Sequence, residues 1–292
     1  MTPETALVLC RLFFDAAVIL IWGSSAYLYV LVSPELASVV GDRLRWLNAV
    51  AIAIAFAATA AMLPLRTAII GDGWADLLTP EMLGAVLTQT DVGQAWIVQA
   101  GCVVLLGATV VLPSSYRQMG RAVCAALVLL SLTLSGHAAM NGGWLRVMHR
   151  VNDGVHLLSG GAWLGALVPV LLILPMLGRG ALQADARVAV MRFSTAGHVA
   201  VALVLLSGIA NTLLVLRGVP SDWSFNYQRL LSAKIAIVAA MVLIALINRY
   251  VFVPKFARDH SLLPLKICVI TEIVLGLTVV ALVAWFGMLQ PR

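Results

Sequence analysis

The 292 residues are 62% hydrophobic and 11% charged, more apolar side chain than one soluble core can hide. Apolar runs of the ~20 residues that cross a bilayer recur along the whole sequence, which reads as an integral membrane protein with no separate soluble catalytic domain. Those runs are continuous instead of alternating apolar with polar, which excludes a transmembrane barrel; the net charge of +6 belongs to cytoplasmic loops and does not imply nucleic acid.

In chain order, Met1 to Thr5 carry no basic segment and the first apolar run contains Arg11 and Asp15, so the first span is expected to be retained. Spans are predicted at 6–32, 44–65, 93–112, 120–140, 151–175, 193–216, 229–253 and 262–288. The fold class is therefore all-α, one transmembrane domain over 1–292 with eight helices, the fifth and eighth long enough to tilt or project. Lys and Arg are concentrated in the odd-numbered loops, among them Arg43, Arg117, Arg187, Arg249 and Lys266, against fewer on the other face, such as Arg66 and Arg146. This bias places both termini in the periplasm.

The second loop carries Asp72, Asp76, Glu81 and Asp91 against Arg66 alone, which agrees with an outer position. Within it, Thr79-Pro80-Glu81 supplies an N-cap, a proline at the first helical position and an acid in the first turn. A short interfacial helix is predicted over about 79–90. The four cysteines, Cys10, Cys102, Cys124 and Cys268, show no paired spacing and read as packing residues.

Ionisable and amide groups inside the spans are the informative ones, because each charge near the bilayer centre costs ~2.5–3.5 kcal/mol on insertion scales. Asp15, His137, His156, His198, Asn211, Lys234 and Glu272 qualify. His137 and Met140 share a face at the end of the fourth span. If the fifth helix begins before Val151, then His149, Asp153 and His156 form one stripe, with Asp153 able to orient an imidazole. Met62, Met82, Met148 and Met288 also fall at the outer ends of spans or loops.

Thioether with imidazole suits Cu(I), and imidazole also accepts Cu(II), Zn(II) or haem iron, so copper is the metal this mixture fits best. His137 and His156 are the principal ligands, with His149, Met62, Met140 and Met148 in support. Asp153, Asn211, His198 and Glu272 mark a route inward. Taken singly, each methionine also reads as ordinary apolar packing, and a helix-end histidine as a hydrogen-bonded structural residue. An ion pair is expected between Lys234 and Asp15. The alternative is a b-type haem electron-transfer protein with His137 and His156, or His156 and His198, as axial ligands. A third reading is a copper sensor or docking scaffold without flux. No P-loop, Ser-His-Asp context or His-Glu-x-x-His helix is present, so neither ATP-driven transport nor hydrolytic or transferase chemistry is expected.

The small residues Ser159, Gly160, Gly161, Ala162, Gly165 and Ala166 follow His156, and Gly161-x-x-x-Gly165 predicts a close helix–helix approach there.

Several motifs then fall in a recognisable order: Gly136-His137-Ala138, His156 with Trp163-Leu164-Gly165-Ala166-Leu167, and Val86-Leu87-x-x-Thr90-x-x-Gly93-x-x-Trp96. Arg192-Phe193-Ser194, Ser207-Gly208-x-Ala210-Asn211, and Tyr227-x-Arg229-Leu230-Leu231-x-x-Lys234 leading to Asn248-Arg249 complete it. In these the chain resembles the CopD family of bacterial copper-resistance inner-membrane proteins, with Gln228 standing where that family often has glycine. The resemblance implies an eight-helix copper homeostasis protein that moves copper between periplasm and cytoplasm, often alongside a small periplasmic carrier of the CopC type.

The topology assignment is open to direct measurement. A reporter active only in the periplasm is expected to work when fused after the last residue and to be silent when inserted in the basic loop between the fifth and sixth spans; the opposite pattern inverts the orientation.

Overall fold

The computed structural model describes residues 1–136, 142–178, 180–253 and 261–290. Among these there are α-helices, short 3₁₀ turns and one π turn, and no strand. Eight helical segments are long and apolar enough to cross a membrane. In chain order the helices are α1 (Pro3–Val30), α2 (Pro34–Arg43), α3 (Arg45–Ile70), α4 (Pro80–Gln89) and α5 (Asp91–Ala108). They continue as α6 (Ser114–Ser131), α7 (Gly143–Ile173), α8 (Gln183–Leu216), α9 (Asn226–Ile247) and α10 (Leu263–Phe286).

Helix starts follow local chemistry. Thr2 caps α1 by accepting from the Thr5 amide at 3.3 Å, with Pro3 at the first position. Thr90 does the same for α5, accepting from the Gly93 amide at 3.0 Å. The helix α4 begins at the Thr79-Pro80-Glu81 signal. The helix α2, in the connection between the first two predicted spans, begins at the equivalent Ser33-Pro34-Glu35. Its Leu36 and Val40 are fully buried against the C-terminal ends of α1 and α7.

Two spans exceed the predicted length by about ten residues. The fifth begins at Gly143, because Trp144-Leu145-Arg146-Val147-Met148 continues the helical pattern upstream of Val151. The sixth begins at Gln183, ten residues before its apolar run, where Ala186 and Ala189 are already buried. At 35 and 34 residues the fifth and sixth spans are the long ones, and the eighth, expected to be long, has 24. A 34-residue helix extends about 50 Å against a hydrocarbon core of about 30 Å, so α8 must tilt or project.

The central helix is α1, which packs on α3, α6, α7 and α10. One core lies between α1, α3, α5 and α6 around Phe14, Ile21, Leu106 and Leu129. A second, around Leu28, Leu167 and Ile173, joins α1, α2, α7, α8 and α10. A third is a small cluster of Leu216, Tyr227, Leu231 and Phe286.

The α1–α7 seam is the tightest contact. A Cβ on Gly165 would lie 2.1 Å from the Ile19 carbonyl oxygen, and one on Gly23 would lie 2.5 Å from that of Gly161. Without side chains there, the two backbones meet, which is the source of helix association in lipid. Trp22 locks the register by donating its indole N–H to the Leu158 carbonyl at 2.9 Å. The cysteines are all free; Cys10 donates its thiol to the Ala58 carbonyl at 3.2 Å between α1 and α3.

Gly165→Ala is expected to lower stability by about 1–3 kcal/mol, since backbone must move to admit the methyl group. Thermal unfolding in detergent checks this against Gly101→Ala, whose new Cβ would meet nothing within 4 Å and should leave the midpoint unchanged.

Candidate functional site

Because α7 starts at Gly143, His149, Asp153 and His156 all lie on one continuous helix. His149 is buried, and the negative charge of Asp153, one turn on, acts on it. Asn152, Asp153 and His156 meet the facing side of α8 at Val204, Ser207 and Asn211.

The contacts across this seam form one network. Asn152 donates its amide N–H to the Asn211 side-chain oxygen at 2.7 Å and to the Ser207 carbonyl at 2.9 Å. Asn211 in turn donates to Asp153 Oδ1 at 3.0 Å. His156 Nδ1 lies 3.0 Å from Ser207 Oγ and 3.2 Å from the Val204 carbonyl oxygen. A carbonyl only accepts, so Nδ1 carries the proton and the lone pair of the neutral ring sits on Nε2. Gly208 makes room for the ring: a Cβ there would lie 3.2 Å from His156 Cε1.

The α9 side supplies the countercharge. Lys234 is in electrostatic reach of both Asp153 and His156, and its ammonium lies 5.9 Å from the centre of the Phe286 ring. Tyr227, almost fully buried, also feels the Asp153 charge. The expected Lys234–Asp15 pair is therefore replaced: Lys234 is matched to Asp153, and the charge acting on Asp15 is that of Arg11, one turn earlier in α1.

The remaining predicted residues are dispersed. His137 and Met140 lie outside the described residues. Met148 is exposed on a groove of about 450 Å³ between α7 and α8 that is also bordered by Trp144, Asn152 and Ser207. Met62 is buried between α3 and α5, where its sulfur accepts from Gln99 Nε2 at 3.5 Å. Among the described residues, no three His, Cys, Asp or Glu side chains gather into a metal-binding group.

His198 and Glu272 line a different cavity in the opposite half of the bundle. His198 lies six residues before Val204 and nine before Ser207 on α8, about 9 to 14 Å along the axis. It also turns back to the Ser194 carbonyl at 2.6 Å. His156 and His198 thus lie in different halves of the bundle, and nothing in the structure supports their pairing as axial ligands of one haem iron.

Asn152 and Ser207 join the site without having stood out in the sequence, and Lys234, expected beside Asp15, is in electrostatic reach of Asp153. The spacing of Ser207 and Asn211, one helical turn apart, was the available signal for a polar face on α8.

Two family models match the chain: "Copper resistance protein D-like, N-terminal domain" over residues 1–147 and "Copper resistance protein D" over residues 187–286. The chain belongs to the CopD copper-resistance family. It is 37% identical over 203 residues to the inner membrane protein YebZ of Escherichia coli K12, covering 69% of this chain and 68% of that protein. It is 32% identical over 222 residues to copper resistance protein D of Pseudomonas syringae pv. tomato, covering 71% of each. To the copper transport protein CutJ of Bacillus subtilis 168 it is 27% identical over 194 residues, covering 64% of this chain and 36% of that protein. No solved structure matches the chain. The seam motif Ser207-Gly208-x-Ala210-Asn211 lies within the second matched segment, and His156 lies between the two matched segments.

Asn211 is the shared node of the network. Asn211→Leu is expected to lower the stability of this CopD-family protein by about 0.6–1.7 kcal/mol, the range for interhelical hydrogen bonds in a bilayer protein, measured as denaturant or thermal unfolding in detergent.

Proposed function

We propose that this chain is an inner-membrane copper protein that captures copper at its periplasmic face and passes it across the bilayer. The observation that carries the reading is the setting of His156. Its Nδ1–H is held by a carbonyl and a hydroxyl, while Nε2 keeps its lone pair, the arrangement in which a histidine serves as a metal ligand with its ring fixed by outer partners.

His156 is one ligand in this proposal and His137, from the end of the preceding span, the other. His149 is an imidazole two turns earlier on the same face of α7, and Met140, Met148 and Met62 are the thioethers assigned as supporting ligands. The Asp153 charge acting on Lys234 offsets that ammonium, so an arriving copper ion does not meet an uncompensated positive charge. The onward route runs past Asp153 and Asn211 toward His198 and Glu272 in the inner half. Both termini and the acidic second loop face the periplasm in this reading, where a carrier of the CopC type delivers the ion. Family membership supports copper handling in general; the ligand set, the face and the flux are the proposal.

The test is copper affinity of purified protein, read by competition with a chromogenic Cu(I) chelator. Wild type is expected to hold copper stoichiometrically, and His137→Ala with His156→Ala to lose it. Ser207→Ala, which removes only a partner of the imidazole, should weaken binding by about 10–100-fold. Unchanged affinity in the double histidine variant overturns the site. Copper uptake into proteoliposomes, lost in the same variant, separates transport from mere binding.

A further inference from the structure

The helices α8 and α9 each have a firm partner, α8 along α7 and α9 along α10, yet they barely touch each other. The gap between them is a cavity of about 390 Å³, floored by α7 and α10. Its walls are overwhelmingly apolar, among them Trp163, Val170, Val201, Leu205, Val242 and Val269. Six polar side chains line it: Arg187, Ser194 and His198 from α8, Asn248 and Arg249 from the end of α9, and Glu272 from α10.

These groups are unevenly satisfied. Arg249 donates to Ser194 Oγ, and His198 donates Nδ1–H to the Ser194 carbonyl, which leaves His198 Nε2 as an acceptor. Glu272 is 2% exposed, and its Oε1 has no hydrogen-bond partner; nor does Asn248 Oδ1. Orphan acceptors of this kind are rare in protein interiors and each calls for an explanation. Asn248 and Arg249 are moreover presented by a π turn, Asn248–Phe252, a distortion that recurs at functional sites.

The cavity therefore offers hydrogen-bond acceptors in a largely apolar chamber, beside a gap between two helices that do not close on each other. We infer that it binds an isoprenoid hydroquinone, whose two hydroxyls donate to this acceptor set while its ring and prenyl chain lie along the apolar walls. A bare cation needs far less space, and no three metal-ligating side chains of His, Cys, Asp or Glu gather among the described residues. An acyl chain would fill the walls but leave Glu272 and Asn248 without donors. The inference stands apart from the copper reading, because its readout is ligand binding with copper absent.

The experiment titrates copper-free, chelator-treated protein in detergent with a decyl-substituted benzohydroquinone kept reduced, and separately with its dimethyl ether, which keeps the shape but has no O–H donor. Saturable binding of one hydroquinone per chain is expected, at least about tenfold tighter than the ether. Glu272→Leu should erase that preference, and Ala202→Trp, which fills the chamber, should abolish binding while the thermal unfolding midpoint shows the protein intact. Equal affinity for hydroquinone and ether overturns the inference, as does the absence of saturable binding. So does a folded Ala202→Trp variant that binds as wild type does. If Ala202→Trp does not fold, the hydroquinone–ether comparison and Glu272→Leu decide the matter alone.

Discussion

The backbone contact between α1 and α7 is the constraint on which the rest of the bundle depends. In lipid there is no hydrophobic gain from pressing two apolar helices together, so their association rests on close packing and on hydrogen bonds with no competing water. Gly23, Gly161 and Gly165 supply the first and the Trp22–Leu158 bond the second. This seam fixes the height and rotation of α7. Because α7 carries His149, Asp153 and His156 on one side and the glycines farther along, fixing one end of the helix aims the other.

From α7 outward the cohesion changes character. On the α8 side the half nearer the start of α7 is joined by amide, carboxylate, hydroxyl and imidazole contacts, with Asn211 shared by Asn152 and Asp153. A polar network in a low-dielectric setting is stabilising only when its members are satisfied. Here the hydrogen bonds and the nearby Lys234 charge meet most of the demand, and His156 retains one lone pair. A single unspent acceptor on a ring that cannot rotate is a better basis for ion capture than a flexible cluster, since no ordering cost remains to be met on binding.

The half nearer the start of α8 has the opposite balance. There α8 and α9 stay apart, apolar surface is left unfilled, and Glu272 and Asn248 keep acceptors without donors. The same long helix, α8, thus lines a nearly satisfied polar seam at one end and an unsatisfied apolar chamber at the other. The two differ in the chemistry they offer: a fixed imidazole lone pair at the seam, acceptors without donors among apolar walls in the chamber.

Sequence alone settled the features that depend on local composition. Eight spans follow from the length of apolar runs, because a bilayer sets that length. The α4 start follows from Thr79-Pro80-Glu81, and the equivalent Ser33-Pro34-Glu35 would have given α2 by the same rule. The glycine spacing after His156 announced a close helix approach, and the family motifs led to copper. Tertiary structure decided what depends on which faces meet. That α1 is the helix against Gly161 and Gly165, that Lys234 faces Asp153 and not Asp15, and that His156 and His198 serve opposite halves are relations between residues far apart in the chain. Helical periodicity gives each residue a direction around its own axis, but the rotation and height of one helix against another come from packing, and only their sum says which polar groups can touch.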